Sequence, residues 1–400
     1  MFNKNDIARL KKLKDTFYTS FGMEPGEFIR SCGRLEIIGN HLDYNGGHVM
    51  NASVENLCIL GCAAKMHDKI VIRTEGYDDI ILNLSDLEYS PSEKETSVAI
   101  VKGICNRLKE LGYKLDGICL QIDSNIPNGG GVSSSAAFGV LVCKILSVYY
   151  NKDELTTIDI AKIVRFAENN YFGKGSGLQD EIGCCSKGFS ITDYYDQANP
   201  IVTTFNTDLG KYKFLIINTL SSHSDSTKDF DMIVSEMKEI AHKYGEEYLI
   251  NVDYASFLND FKDPLNGSQR KYKRAYHFFN ENKRVLEAYE ALKENDVASF
   301  LKLFEESGLS SENNLQSIIA EGQTTNNLRK VLDLGREIIV DGAIRVHGGG
   351  FGGTALVLIN EKEISSFKLK MSKLVPVNCI YEVELSENPL LVSSVLRVKM

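Results

Sequence analysis

Residues able to do chemistry gather in three stretches of this sequence. The first is Gly129-Gly130-Gly131 with Ser133-Ser134-Ser135 close behind. Glycines without Cβ atoms let a backbone press its N–H groups against a ligand. The serines add hydroxyls suited to phosphate oxygens or a metal. The second stretch sets Arg34, His41 and Asp43 between Gly33 and Gly47, and polar groups on a glycine-flanked loop suit a small hydroxylated ligand. In the third, Glu168 precedes and Asp180 follows the break Gly173-Lys174-Gly175-Ser176-Gly177. A carboxylate just past such a break could be catalytic. Each stretch also has a plainer reading: a turn with a serine N-cap, a solvated turn, and a helix-start carboxylate.

The elements that would position these groups are legible by periodicity. Gly117 to Asp123 alternates like a strand, and Ala136 to Tyr150 is apolar and long enough for a helix. Strand, glycine loop and helix in that order form a phosphate cradle, because the first N–H groups of a helix are unpaired and its dipole favours an anion. Helices are expected over Asp6–Phe21, Ser97–Leu111, Ile158–Tyr171, Asp229–Tyr244, Arg274–Glu294, Ala298–Glu306 and Asn326–Ile339. Strands are expected over Lys69–Arg73, Asp79–Leu84 and Lys213–Asn218, with a last one over Asn378–Leu385. Ala343 to Ile359 reads as strand, glycine turn, strand. The polar segment Asp193–Asp208 marks a boundary between two α+β domains, 1–205 and 206–400.

Composition narrows the class. A 43% hydrophobic and 25% charged chain of 400 residues has ample core and the balance of a soluble protein. The net charge of −9, without any Lys/Arg-rich block, argues against a nucleic-acid partner. Nine scattered cysteines at no zinc-like spacing read as reduced thiols. The first twenty residues lack a signal peptide's apolar core, and no run reaches membrane-spanning length. A cytoplasmic protein is expected.

Generic motifs fail. Gly348 to Gly353 fits G-x-G-x-x-G but precedes a strand, where a dinucleotide fingerprint needs a helix. No Walker A, H-R-D or G-x-S-x-G sequence occurs. Taken together, three segments resemble the GHMP kinases, and within them the galactokinase branch. Gly33 to Gly47 is similar to the galactokinase sugar signature, Pro127 to Ala137 to the ATP loop, and Gly342 to Gly353 to the C-terminal glycine motif. The resemblance covers nearly the whole chain. It implies ATP-dependent phosphorylation of the anomeric hydroxyl of a galactose-like sugar, on an N-terminal domain like ribosomal S5 domain 2 and a C-terminal ferredoxin-like domain.

Carried over by residue, the resemblance places Arg34 beside the anomeric oxygen and makes Asp180 the catalytic carboxylate. Asn40, His41, Asp43, Gly177 and Phe230 join them around the sugar. Asn128, Gly129, Gly130, Gly131, Ser133, Ser134, Ser135 and Ala136 would hold ATP, and Ser135 with Glu168 would hold Mg²⁺. A monomer without nucleic-acid or membrane partners is implied. A non-catalytic sugar sensor on the same fold is the alternative, and the intact Ser133–Ala137, Glu168 and Asp180 speak against it.

Two positions depart from the pattern. Galactokinases carry Glu where Asn40 stands, and a sugar-contacting Tyr where Phe230 stands, seven residues after His223. Galacturonate kinases relax both, and 277–285 and 307–311 are similar to that branch. A Glu 4 Å from a uronate carboxylate would repel it by about 4 kcal/mol at an effective dielectric of 20. An Asn amide donates to it instead, and its oxygen equally serves a neutral hydroxyl. Galactose is the first expected sugar and galacturonate the second.

Overall fold

The computed structural model describes residues 1–127, 129–175, 177–221, 227–351 and 353–396. Helix α1 (Lys4–Phe21) leads into the hairpin β1 (Glu27–Ile38) and β2 (His48–Lys65), then β3 (Lys69–Thr74), β4 (Ile80–Asn83) and α2 (Ser97–Glu110). β5 (Ile118–Ser124), α3 (Ser134–Tyr150), α4 (Thr157–Ala167), α5 (Gln179–Cys185), β6 (Phe189–Asp193) and β7 (Ile201–Phe205) follow. After β8 (Tyr212–Asn218) come α6 (Thr227–Lys243), α7 (Tyr254–Lys262), α8 (Pro264–Gly267), α9 (Arg270–Lys293), α10 (Val297–Ser310) and α11 (Asn327–Ile338). β9 (Gly342–His347), β10 (Thr354–Asn360), α12 (Ile364–Met371), β11 (Ile380–Glu382) and β12 (Leu390–Ser393) finish the order.

These strands build two sheets, of eight strands (β12-β1-β2-β5-β3-β4, with β6 on β2 and β7 on β6) and four (β11-β8-β10-β9). All ladders are antiparallel except β3–β5. β1 and β2 are buried along almost their whole length. Leu60, Cys62 and Ala64 pack with Leu10 and Phe17 of α1, while Ile59 and Ala63 join the main core on the opposite face. A strand covered on both faces carries no polar alternation, so no period of two marks this hairpin in the sequence.

Several expectations need correction. The segment 193–208 contains β7, an edge strand whose exposed face makes it polar. The expected helix Ile158–Tyr171 is α only to Ala167 and then opens into a π-turn, Glu168–Phe172. Asn378–Leu385 is not the last strand. β12 lies beyond it and pairs with β1, from Phe28↔Ser393 to Ser31↔Leu390. The sheets change between β7 and β8, and β12 returns to the first sheet beside β1. The core is also shared: Leu35 and Ile38 of β1 belong to one apolar cluster with Phe278 of α9 and Phe304 of α10. Among the described residues no helix is long and apolar enough to cross a membrane.

Candidate active site

Strand β1, the glycine loop and α5 meet at Arg34. A β-bulge at Cys32/Gly33 turns the strand there. Arg34 N–H then donates to Val132 O at 3.1 Å, fixing the loop onto β1. The guanidinium donates to Gly131 O from Nη1 at 2.7 Å. Its Nε and Nη2 both reach Asp180 Oδ1, at 3.1 and 2.7 Å. Gly183 makes this possible, since a Cβ there would stand 2.9 Å from Arg34 Cβ.

The loop leaves no room for a side chain at Gly130 or Gly131. Gly131 has φ +69°, and a Cβ on it would meet Thr354 Oγ1 at 2.5 Å. Ser133 takes the left-handed conformation (φ 58°) and does not cap α3 with its side chain. Its hydroxyl hydrogen-bonds Asp180 instead. The serine N-cap suggested by the sequence is therefore not what this residue does. A non-glycine residue held at positive φ costs of order 1 kcal/mol or more and points to a functional constraint.

Asp180 sits in the first turn of α5. Burial alone would raise its pKa, but Arg34, Lys174 and the Ser133 hydroxyl more than reverse this and hold the carboxyl well below the usual range. Glu168, at the head of the π-turn, is fully buried. Lys174 stands before it, with Nζ 3.6 Å from Glu168 Oε2 and 3.6 Å from Asp180 Oδ2.

Arg34, Asp43, Gly129–Gly131, Ser133–Ser135, Gly177, Asp180 and Phe230 all line one cleft of about 660 Å³. A second cleft, of about 990 Å³, runs on from it past Ile72, Tyr77, Val98 and Phe138. The two share Glu95, Ile126, Ser134, Ser135 and Phe172. Ala136 is buried in the first turn of α3. Asn128 and His223 lie outside the described residues.

Asp43 is buried and accepts from the backbone N–H groups of Tyr44 and Gln179. Its Oδ2 has no partner and faces the Gly177 backbone. Burial first, then the nearby Asp180 charge, pushes its pKa up to about 6. His41 lines the cleft, yet both its nitrogens are engaged. One bonds Gly349 O at 3.0 Å, so that Nε2 carries the proton, and the other accepts from Tyr44 OH at 2.7 Å. Phe230 stacks on the His41 ring.

Asn40 is not on the cleft wall; it is fully buried behind it. Its Oδ1 accepts from Ser311 Oγ at 3.1 Å and Arg345 Nη2 at 3.2 Å. A guanidinium can only donate, which fixes the amide's orientation and leaves Nδ2 without a partner. His277 bonds Asn40 O and Ser310 Oγ, and Arg345 also donates to Ile37 O. His347 accepts the Glu36 N–H at 2.9 Å. Residues of α9, α10 and β9 thus hold the loop after β1 from behind. No local pattern marks the contacts to the loop, which join residues more than two hundred positions apart. Lys174 also lines the cleft, and its only mark in the sequence is its place between Gly173 and Gly175.

The donor set suits a nucleotide with a divalent cation. Ser135 Oγ and the Glu168 carboxylate are hard oxygen ligands beside a backbone cradle, and Mg²⁺ takes one or two such groups plus phosphate oxygens. Glu168 is fully buried and lines neither cleft; its carboxylate touches Lys174, which does line the smaller one.

Comparison with known proteins identifies the family. The family model described as "GHMP kinases N terminal domain" matches residues 99–188, and the "Galactokinase galactose-binding signature" matches residues 15–64. Similar proteins include the galactokinase of Clostridium perfringens (strain SM101 / Type A), 30% identical over 90% of this chain and 92% of that protein. The galactokinase of Streptococcus suis is 30% identical over 91% of this chain and 92% of its own. Among solved structures, Lactococcus lactis galactokinase complexed with galactose superposes with a TM-score of 0.83 at 23% identity, covering 96% of this chain and 100% of that one. Methanococcus jannaschii mevalonate kinase gives a TM-score of 0.63 at 18% identity, over 90% and 98%. The fold is that of the GHMP kinases.

Proposed function

Because this chain belongs to the galactokinases, a branch of the GHMP kinases, we propose that it transfers the terminal phosphoryl group of ATP to the anomeric hydroxyl of galactose. The observation that carries the reading is the Arg34 guanidinium, which joins Asp180 to the glycine loop. One side chain thereby ties the group that faces the sugar to the backbone that faces the phosphates.

The triphosphate lies along Gly129–Ser135, with the base and ribose in the larger cleft beyond Ser134 and Ser135. Ser135 and Glu168 would hold Mg²⁺, which neutralises phosphate charge when bound. Asp43 Oδ2 accepts from a sugar hydroxyl, and Phe230 covers an apolar face of the ring. Asp180 orients the anomeric hydroxyl. The sugar oxygen bonds to the terminal phosphorus as the bond to the bridging oxygen breaks and ADP leaves. A carboxylate held at low pKa is a weak base, so the proton passes to Asp180 late, once the new bond has acidified it. Arg34 offsets the negative charge gathering there. Nine buried, unpaired cysteines favour a cytoplasmic setting.

Galacturonate is a second reading, supported by Asn40. It lies behind the cleft wall with its oxygen held by Arg345 and Ser311, so this position brings no carboxylate charge near a uronate. Steady-state kinetics with galactose, galacturonate, arabinose and N-acetylgalactosamine test both readings. Galactose turning over best supports the first. A galacturonate preference that vanishes in Asn40→Glu supports the second, and no turnover on any sugar favours a non-catalytic sensor.

A further inference from the structure

Only two cationic side chains, Arg34 and Lys174, line the smaller cleft among the described residues, since burial keeps His41 and His347 neutral. They are tied in different ways. Arg34 is fully committed, with Nε, Nη1 and Nη2 all hydrogen-bonded to Asp180 or Gly131. Lys174 is not. Its backbone N–H is stapled to Glu168 O at 3.0 Å, but its ammonium hangs 3.6 Å from both Glu168 and Asp180, beyond hydrogen-bond length. The side chain is 44% exposed and stands between Gly173 and Gly175.

This arrangement has an electrostatic consequence. Asp180 lines a cleft that must accept a triphosphate, and the fully buried Glu168 lies beside it, with Lys174 Nζ 3.6 Å from both carboxylates. An anion entering beside these groups needs a cation that can move onto it. Arg34 cannot leave without releasing Asp180. Lys174 gives up only two long contacts, and its charge is secure because the surrounding carboxylates outweigh the effect of burial.

We propose that Lys174 is a phosphate-binding residue, whose ammonium turns from Glu168 and Asp180 onto the terminal phosphoryl oxygens of the nucleotide. In doing so it also uncovers Glu168 for the divalent cation. The inference rests on reading the cleft as the ATP site, and it makes Lys174 a catalytic residue of that site.

The test is binding rather than turnover. Calorimetric affinities for ADP and for a non-hydrolysable ATP analogue, each with Mg²⁺, are measured on the wild type, Lys174→Met and Lys174→Arg, at matched melting temperature. A charge-assisted hydrogen bond to the terminal phosphate predicts that Lys174→Met loses about 10- to 100-fold for the ATP analogue. ADP affinity should stay close to wild type, and Lys174→Arg should recover most of the loss. An equal loss for both nucleotides, or no loss for either, overturns the proposal. A wild-type protein that binds neither nucleotide would overturn the kinase reading itself, and the Lys174 role with it.

Discussion

Arg34 Nη2 lies 2.7 Å from Asp180 Oδ1, joining residues 146 positions apart. The pair is nearly removed from water, with side chains 5% and 14% exposed. An ion pair so placed holds its geometry but suffers badly if one partner is lost, since the other charge remains buried. It fixes the carboxylate at the place where β1, the glycine loop and α5 converge.

Replacing Arg34 by Met should therefore damage chemistry more than binding. Turnover is expected to fall by roughly 10²–10³-fold, the scale of losing one preorganised electrostatic contact, while sugar KM changes far less. Steady-state kinetics check this. A variant that loses sugar affinity but keeps turnover would place Arg34 in ground-state binding alone.

Asp43 sets an acid limb. Its Oδ2 accepts most strongly from a sugar hydroxyl when the carboxyl is ionised, and its pKa is pushed up to about 6 by burial and by Asp180. kcat/KM for the sugar at saturating MgATP should fall as pH drops through about 6. Asp43→Asn should lower kcat/KM and flatten that limb. A wild-type profile level from pH 7 to 5 contradicts the assignment.

Glu36 carries a stability cost with a definite sign. Burial raises its carboxyl from 4.5 to about 7, against the pull of Arg345 and Arg34, and neither oxygen has a hydrogen-bond partner. A raised native pKa means a contribution that is complete below 4.5 and is lost as pH rises through 7. Glu36→Gln should therefore gain on the wild type between pH 5 and 7 and level off above, by up to about 3 kcal/mol at ~1.4 kcal/mol per pK unit. Melting temperatures of the two proteins from pH 5 to 9 check it; a difference that shrinks with rising pH refutes it.

Gly183→Ala tests the packing beneath the ion pair. The new Cβ would press on Arg34 Cβ at 2.9 Å. Overpacking of this kind costs about 1–3 kcal/mol, and here it also shifts Arg34 against Asp180. Stability and turnover should fall together. Unchanged turnover would show that α5 and Arg34 separate without cost to the site.

Much of this site was readable in the sequence because its parts are local. The glycine cradle, Arg34, Asp43 and Asp180 each lie in a short segment where glycines break an otherwise regular element, and the structure brings those segments to one cleft. What escaped was non-local or fully buried. The β1–β2 hairpin has no alternation because both faces are covered, and β12 returns to β1 across more than three hundred residues. Asn40 lies next to His41 and Asp43 in sequence, yet Arg345 and Ser311 draw its side chain behind the wall. Periodicity cannot report such a contact. The π-turn at Glu168 escaped as well, because its composition continues that of α4.

The most direct measurement of the central claim is single-turnover phosphoryl transfer by Asp180→Asn, with ATP affinity determined on the same protein. The account predicts turnover reduced by on the order of 10²–10⁴-fold with ATP affinity nearly intact. An Asn variant that transfers phosphate at the wild-type rate would contradict it.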